Sequence, residues 1–464
     1  MKPTLALSCF LIFFTSLAGA ARAADDTGPK AFDAVHDLYS AEKYPEAGKA
    51  AQALVEARTK ALGAEGRETL RARLLQVEIL SMLDSAATTE TRLRELLPLL
   101  TRVLGAAAPE TLRGQALLSA VFVDQGRLAE AVLQLRSVIQ TETQALGAGH
   151  TETLQSRLHL AGVLYDLKKM DEAEKEYREV LAQHKTAPGA EDELTLQTGM
   201  GLADVLYKRG RPQEAEAQLR TLLPAFVRIH GADAPATLRC ESDLVHFMDA
   251  QDKHAEAARE CRRLLPVFGR VLGPEHAQTL FLHLILGGAL GKAGDMAEAE
   301  KEFRLVLTAD ERAYGPNDTR TCSARTQFIA ALFNQQKFAA AVEESARLIP
   351  ALTSVYGADD PRTLRSRSCQ ARASDALGSH AQAEKELREV LAQQEKRLGA
   401  EHSDTLLTCQ GLAACLKAQE RSPEALTYAR RALAGWQKLP HADPRSVRES
   451  QQLVDDLTKS ELKK

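Results

Sequence analysis

The chain has 464 residues, a formal net charge of -4 and 26% charged residues. That length exceeds what one compact core usually serves, so several domains or an elongated array is expected. Acidic and basic residues are mixed without a long run of either sign, which excludes the basic face of a dedicated nucleic-acid binder, and no segment has the composition of a low-complexity linker.

The first residues read as an export signal. Lys2 supplies a positive start and Leu5 to Leu17 is an uncharged, mainly apolar stretch. Ala21-Arg22-Ala23 then places small residues where a signal peptidase reads them. Residues 1–23 are therefore predicted to be a signal peptide cleaved after Ala23, with residues 24–464 periplasmic or secreted. The alternative is an uncleaved anchor, for which the stretch is short. No later stretch could span a bilayer. Cys9 leaves with the signal, and Cys240, Cys261, Cys322, Cys369, Cys409 and Cys415 remain. An even number in an exported chain permits a disulfide. Their spacing has no CxxC and no zinc pattern, so they read mainly as small packing residues.

From residue 29 the sequence repeats. Threonine stands at Thr69, Thr111, Thr153, Thr195, Thr237, Thr279, Thr321, Thr363 and Thr405, each step 42 residues with no insertion. Alanine keeps the same period at Ala47 and from Ala131 to Ala425, and glycine from Gly63 to Gly399. Three columns on one period define a repeat architecture before any residue-level reading.

In the copy from Thr153, Leu154, Leu158, Ala161 and Leu164 form the apolar stripe of a first helix, A. It is predicted to stop near Lys168, where other copies carry Gly126, Gly210, Gly294 or Gly378, residues suited to a positive φ. A second helix, B, follows from about Asp171 to Lys185, burying Ala173, Tyr177, Val180 and Leu181. The recurrent alanine marks the closest approach of the two helices. Pro45 and Pro423 open helix B, where a missing N–H costs nothing. Pro98, Pro224, Pro266 and Pro350 share one interior position of helix B, predicting a kink there or a break. Glutamate precedes arginine by four residues at Glu90–Arg94, Glu174–Arg178, Glu216–Arg220, Glu300–Arg304 and Glu384–Arg388, a pattern read as a solvated stripe of ion pairs. A last helix, from about Ser446 to Glu461, is apolar on one side through Val447, Val454 and Leu457, as a solenoid cap must be.

These units resemble tetratricopeptide repeats of the 42-residue kinesin light chain type, as found in related bacterial proteins. Leu272-Gly273-Pro274-Glu275-His276 leads into Thr279-Leu280, then Gly294, Glu298-Ala299-Glu300 and Arg304, and Leu398 to Leu406 repeats the opening of that pattern. The resemblance covers roughly residues 29–440. It implies an all-α, right-handed superhelical solenoid of about ten antiparallel helix pairs with a C-terminal capping helix. The A helices would line a concave face that binds a peptide or protein. Departures are visible. The late aromatic of helix A survives only as Tyr39, Tyr165, Tyr207 and Phe333, and the copy from Thr69 has Thr88-Thr89 for the usual Glu-Ala, which predicts looser packing.

No catalytic, cofactor or metal site is expected. The serine-hydrolase elbow, the zincin motif and both phosphate-binding glycine motifs are missing. His150, His276 and His402 lie three repeats apart, roughly 30 Å, and cannot share one metal; a role in the loop before helix A fits them. The sequence therefore points to a non-catalytic protein–protein or peptide-binding scaffold. A self-associating structural component of the cell envelope is the alternative. Candidate partner contacts are Arg71, Arg113, Arg239 and Arg365, which share one repeat position near the start of helix A, and Tyr165 and Tyr207, which share another. Both types are favoured at binding surfaces, and a row of arginines can read acidic segments or a carboxylate terminus. Against this, arginine stems can simply cover neighbouring apolar surface.

Overall fold

The computed structural model describes residues 29–184, 192–440 and 443–461, and every regular element among them is helical. The predicted signal peptide lies outside the described residues. The A helices are α1 (Pro29–Ser40), α3 (Arg67–Leu80), α5 (Pro109–Asp124), α7 (Thr151–Asp166), α9 (Glu193–Lys208), α11 (Pro235–Asp249), α13 (Ala277–Lys292), α15 (Thr319–Asn334), α17 (Pro361–Ala376) and α19 (Ser403–Ala418). The B helices are α2 (Tyr44–Leu62), α4 (Ala86–Leu104), α6 (Leu128–Leu146), α8 (Met170–His184), α10 (Pro212–His230), α12 (His254–Val271), α14 (Met296–Tyr314), α16 (Phe338–Tyr356), α18 (His380–Leu398) and α20 (Ser422–Lys438). The closing helix is α21 (Pro444–Glu461). Ten pairs and a cap are what the 42-residue period demands, and the fold is an all-α solenoid.

The chain divides into two compact units, residues 1–240 and 241–464. In the first, each of α1 to α10 packs on the next in sequence, and in the second each of α12 to α21 does so. Closer approaches between alternate helices join A helices: α3 with α5 and α7 with α9 in the first unit, α17 with α19 in the second, where α19 also meets the cap α21. The A helices thus converge and form the crowded, inner side of each stack.

The columns now have physical jobs. The alanine column is sealed at the A–B crossing: Ala47, Ala131, Ala173, Ala215, Ala257, Ala299, Ala341, Ala383 and Ala425 are all fully buried. A larger side chain there would force the helices apart. The turn from A to B uses the left-handed region at Gly126, Gly210, Gly294 and Gly378, and equally at Glu42, Lys168, Asp252, Gln336 and Glu420. The non-glycine residues bear a strain that the surrounding turn bonds hold in place. The exception is Asp84. In that copy, which lacks the Glu-Ala pair, α4 is instead capped by Ser85, whose hydroxyl accepts from the Thr88 N–H at 3.2 Å.

The threonine and glycine columns are one device. The hydroxyls of Thr69, Thr111, Thr153, Thr237, Thr279, Thr321, Thr363 and Thr405 each donate to the carbonyl of the glycine six residues earlier, at 2.8–3.0 Å. The link ties the end of one B helix to the start of the next A helix and satisfies a carbonyl that the helix end would leave orphaned. The loop histidines act as N-caps. Nδ1 of His150, His276 and His402 accepts from the N–H two residues on, at 3.4, 3.3 and 3.1 Å, while Asp318 and Asp360 do the same at 2.8 and 2.9 Å.

Two expectations need revision. The interior prolines cause no break: α4, α10 and α16 each run nineteen residues, as do the proline-free α6, α14 and α18, and α12 passes Pro266 without interruption. All four prolines lie on the exposed side of their helix. Water can satisfy the carbonyl each one frees there, and the ring can be accommodated by gentle curvature. The Glu–Arg pairs all form, at 2.5–2.9 Å, but they are not a solvated stripe. The arginines are exposed, apart from the half-buried Arg388, whereas the glutamates are largely covered and four of them also bind the next pair. Glu90 accepts from Gln125 and Arg127, Glu174 from Arg209 and Arg211, Glu300 from Gln335 and Lys337, and Glu384 from Gln419 and Arg421. The hydrogen bond from Gln125, with those from Arg94 and Arg127, holds the Glu90 carboxyl down at about 2 against the opposing effect of burial. These glutamates rivet one repeat to the next.

The six cysteines among the described residues are free thiols; five are buried and Cys369 is half-buried. Their role is packing, and burial pushes Cys261 and Cys415 up to about 12, so they are weak nucleophiles.

Candidate binding face of the A helices

In the first unit the proposed arginines are not free cations. Arg71 of α3 reaches Glu110 of α5 and Glu68 of its own helix, both at 2.6 Å. Arg113 of α5 returns the contact to Glu78 of α3 through two nitrogens, at 2.6 and 2.8 Å. Two crossed ion pairs therefore fasten α3 to α5. Glu78 is buried, and desolvation pushes its carboxyl above the usual range despite Arg113. Further along, Arg239 lies 4.0 Å from Asp204 of α9. The same Asp204 and its own burial raise the Tyr165 phenol, burial being the larger cause. Tyr165 and Tyr207 are half-buried and carry Lys168 and Lys208 over their rings at 5.6 and 5.5 Å. The structure thus gathers Tyr165, Asp204 and Arg239, and separately Arg71 and Arg113, with each arginine answered by a neighbouring carboxylate.

In the second unit the same repeat register reads differently. Arg365 of α17 meets Asp404 of α19 at 3.0 Å and stays largely exposed. About two turns later, at the position of Glu78 and Asp204 in the first unit, stands Arg372. It has no carboxylate partner among the described residues. Its guanidinium lies over the Phe333 ring of α15, 4.9 Å from the centroid. Gly411 on α19 makes room for it, since a Cβ there would come within 2.7 Å of the Arg372 Cγ. A cation–π contact and a glycine-made berth hold the cation where a partner can reach it.

Arg365 and Arg372 border a hollow of about 300 Å³. Phe333, Ile329, Leu348 and Leu407 give it apolar walls, and Ser345 and Gln394 contribute from the B helices. Asn334, also on the lining, accepts from Arg445 of the first turn of α21 at 3.1 Å. Of the six residues singled out by sequence, only Arg365 belongs here. Arg372 was missed because arginine recurs elsewhere in helix A and its isolation from carboxylates is a property of the neighbours. Phe333 was visible as a late aromatic of helix A, without a role. Among the described residues no cluster of His, Cys, Asp and Glu could hold a metal ion, and no helix is long and apolar enough to cross a membrane.

These features define an all-α repeat protein whose inner A-helix face is its candidate working surface. The tetratricopeptide repeat family pattern matches residues 151–226 and 368–438, so these two stretches are tetratricopeptide repeats. No curated protein matches it. Among solved structures, the apo form of RapI is similar over 80% of this chain and 98% of its own, at 11% identity and a TM-score of 0.59. A signal-transduction ATPase with a tetratricopeptide repeat sensor from Pyrococcus horikoshii covers 85% of this chain over 55% of its own, at 13% identity and a TM-score of 0.56. Nearly identical TPR-like repeats from Podosopora anserina, assigned to a kinesin light chain, cover 44% of this chain at 21% identity and a TM-score of 0.40. These likenesses concern the fold alone.

Proposed function

We propose that the protein is a non-catalytic scaffold that binds an acidic segment of a partner protein on the A-helix face of α15, α17 and α19. One observation carries the reading. Arg71, Arg113 and Arg239 of the first unit are answered by carboxylates of their own chain, whereas Arg372 is presented over Phe333 with none among the described residues. A buried or half-buried cation seeks an anion, and a repeat surface of this kind offers extended contact to a chain lying along it. Arg365, exposed beyond its contact with Asp404, adds a second cation to the same face.

The test is a titration of the full chain with capped acidic and basic nonapeptides, followed by isothermal calorimetry at two salt concentrations. The acidic peptide should bind and weaken with salt, and Arg372→Glu should abolish binding without loss of helical circular dichroism. Equal binding of both peptides, or unchanged affinity in Arg372→Glu, would remove the proposal.

A further inference from the structure

The floor of the same hollow departs from the repeat in a way that the acidic-segment reading does not use. Ser345 occupies the helix B position held by the large apolar Leu93, Leu135, Tyr177, Leu219, Phe303 and Leu387 and by the small Ala51, Cys261 and Ala429 in other copies, all of them buried. Gln394 occupies a position that is buried and apolar in Leu100, Phe226, Phe268, Leu352 and Trp436, and buried but polar in Glu142, His184 and Asp310. Both substituted side chains are 0% exposed. Ser345 Oγ and both Gln394 amide atoms, Nε2 and Oε1, lack a hydrogen-bond partner among the described residues. A serine where most copies carry a large apolar side chain hollows the packing, and with Gln394 it leaves three buried hydrogen-bonding atoms, each of which is costly unless satisfied. The hollow, about 300 Å³, far exceeds the roughly 30 Å³ share of one water and sits at the lower end of ligand-pocket sizes.

We infer that this hollow is a specificity pocket for a carboxamide head, that of a glutamine or asparagine side chain. The inference rests on the acidic-segment reading for the peptide's main attachment. Gln394 presents a donor and an acceptor side by side, so its complement must also donate and accept. A second carboxamide does both and pairs with Gln394 while leaving a bond for Ser345. A carboxylate head would set an oxygen against Oε1, and an ammonium head would leave Nε2 unanswered. The buried Asp404 also lines the hollow and already engages Arg365, so a second carboxylate head would meet a like charge there, while Ser345 and Gln394 offer it no counter-charge. The methylenes of the incoming side chain lie against Leu348, Leu407 and Phe333, and the acidic flanks of the segment meet Arg372 and Arg365 at the rim.

The full chain is titrated with three capped acidic nonapeptides that differ only at the centre: glutamine, glutamate or leucine. Free L-glutamine and L-asparagine are titrated separately by NMR, observing the Gln394 side-chain amide. The glutamine peptide should bind roughly tenfold more tightly than its twins, the worth of about one well-made buried hydrogen bond. Ser345→Leu and Gln394→Leu restore the residues of sister repeats and should keep or raise the melting temperature. Each should erase the glutamine preference while the leucine peptide binds as before. Arg372→Ala should weaken all three peptides alike. If the three peptides bind equally to the wild-type chain, or if Ser345→Leu keeps the preference, the pocket inference falls and the acidic-segment reading stands. If no peptide binds, the acidic-segment reading falls; a Gln394 amide signal that also ignores the free amino acids then overturns the pocket. A signal that moves with them, while Ser345→Leu is silent, upholds it and shows that a free amino acid is the source of the head.

Discussion

The junction of α3 with α5 and that of α17 with α19 are built from the same repeat positions and reach opposite states. Between α3 and α5, Arg71–Glu110 and Glu78–Arg113 cross in complementary fashion and the cations are spent on structure. Between α17 and α19, one pair survives as Arg365–Asp404, and the acid that would complete the second is replaced by Arg372. A position that locks two helices together in one unit becomes, by inversion of its charge, a cation presented to the outside in the other. The repeat fixes where a side chain stands; its neighbours decide whether it is a strut or a contact.

The largest effect that would break this contrast is expected from Arg113→Ala. It strands the buried Glu78 and should cost about 3 kcal/mol, read as a lower urea midpoint in far-UV circular dichroism. A second change sharpens the contrast through pH. Glu142 in the first unit stands at the repeat position of Gln394, is buried, and accepts from Ser156 at 3.1 Å. Burial pushes its carboxyl up from 4.5 to about 8. The folded chain therefore keeps a proton that the unfolded chain loses, so this residue's contribution to stability falls as pH rises from about 4.5 to about 8. Glu142→Gln, neutral throughout, should raise the melting temperature by a few degrees at pH 8 and leave it nearly unchanged at pH 4, measured by calorimetry.

A smaller loss, about 1 kcal/mol, is expected from Thr111→Val, which removes the hydroxyl bonded to the Gly105 carbonyl. Thr405→Val in the second unit should lose a similar amount, since this column does the same work in both; a clear inequality in urea midpoints would show that the units do not share it. The smallest effect belongs to Arg372→Ala. With no ion pair to lose, its stability should change by less than about 0.5 kcal/mol, and a drop as large as that of Arg113→Ala would show that Arg372 is a strut after all.

Much of the fold was legible in the sequence because a strict period leaves few ways to bury an apolar stripe. Thr153 to Leu164 already specified one helix face, the fully buried alanine column specified the crossing, and Gly126 and its equivalents specified the turn. Less legible was what requires two elements at once. The threonine column is conspicuous in sequence, yet its bond to the glycine carbonyl appears only when the end of helix B and the start of helix A meet. The Glu–Arg pairs were visible along one helix, but their buried glutamates also bind side chains of the following repeat, 35 and 37 residues on. The prolines were read as a kink or a break; the helices run on past them, and sequence does not show that all four face solvent.

By itself the sequence determined the number, order and pairing of the helices, because hydrophobic periodicity and the turn residues act within one repeat. The tertiary structure alone decided which arginines are spent and which is offered. A side chain's partner depends on acids some 35 to 39 residues away that stacking brings within about 3 Å, where charge–charge energy is decided. The hollow beside Arg372 has the same origin: a small residue at Ser345 and a polar one at Gln394 mean nothing until the walls that fail to fill the space are in place.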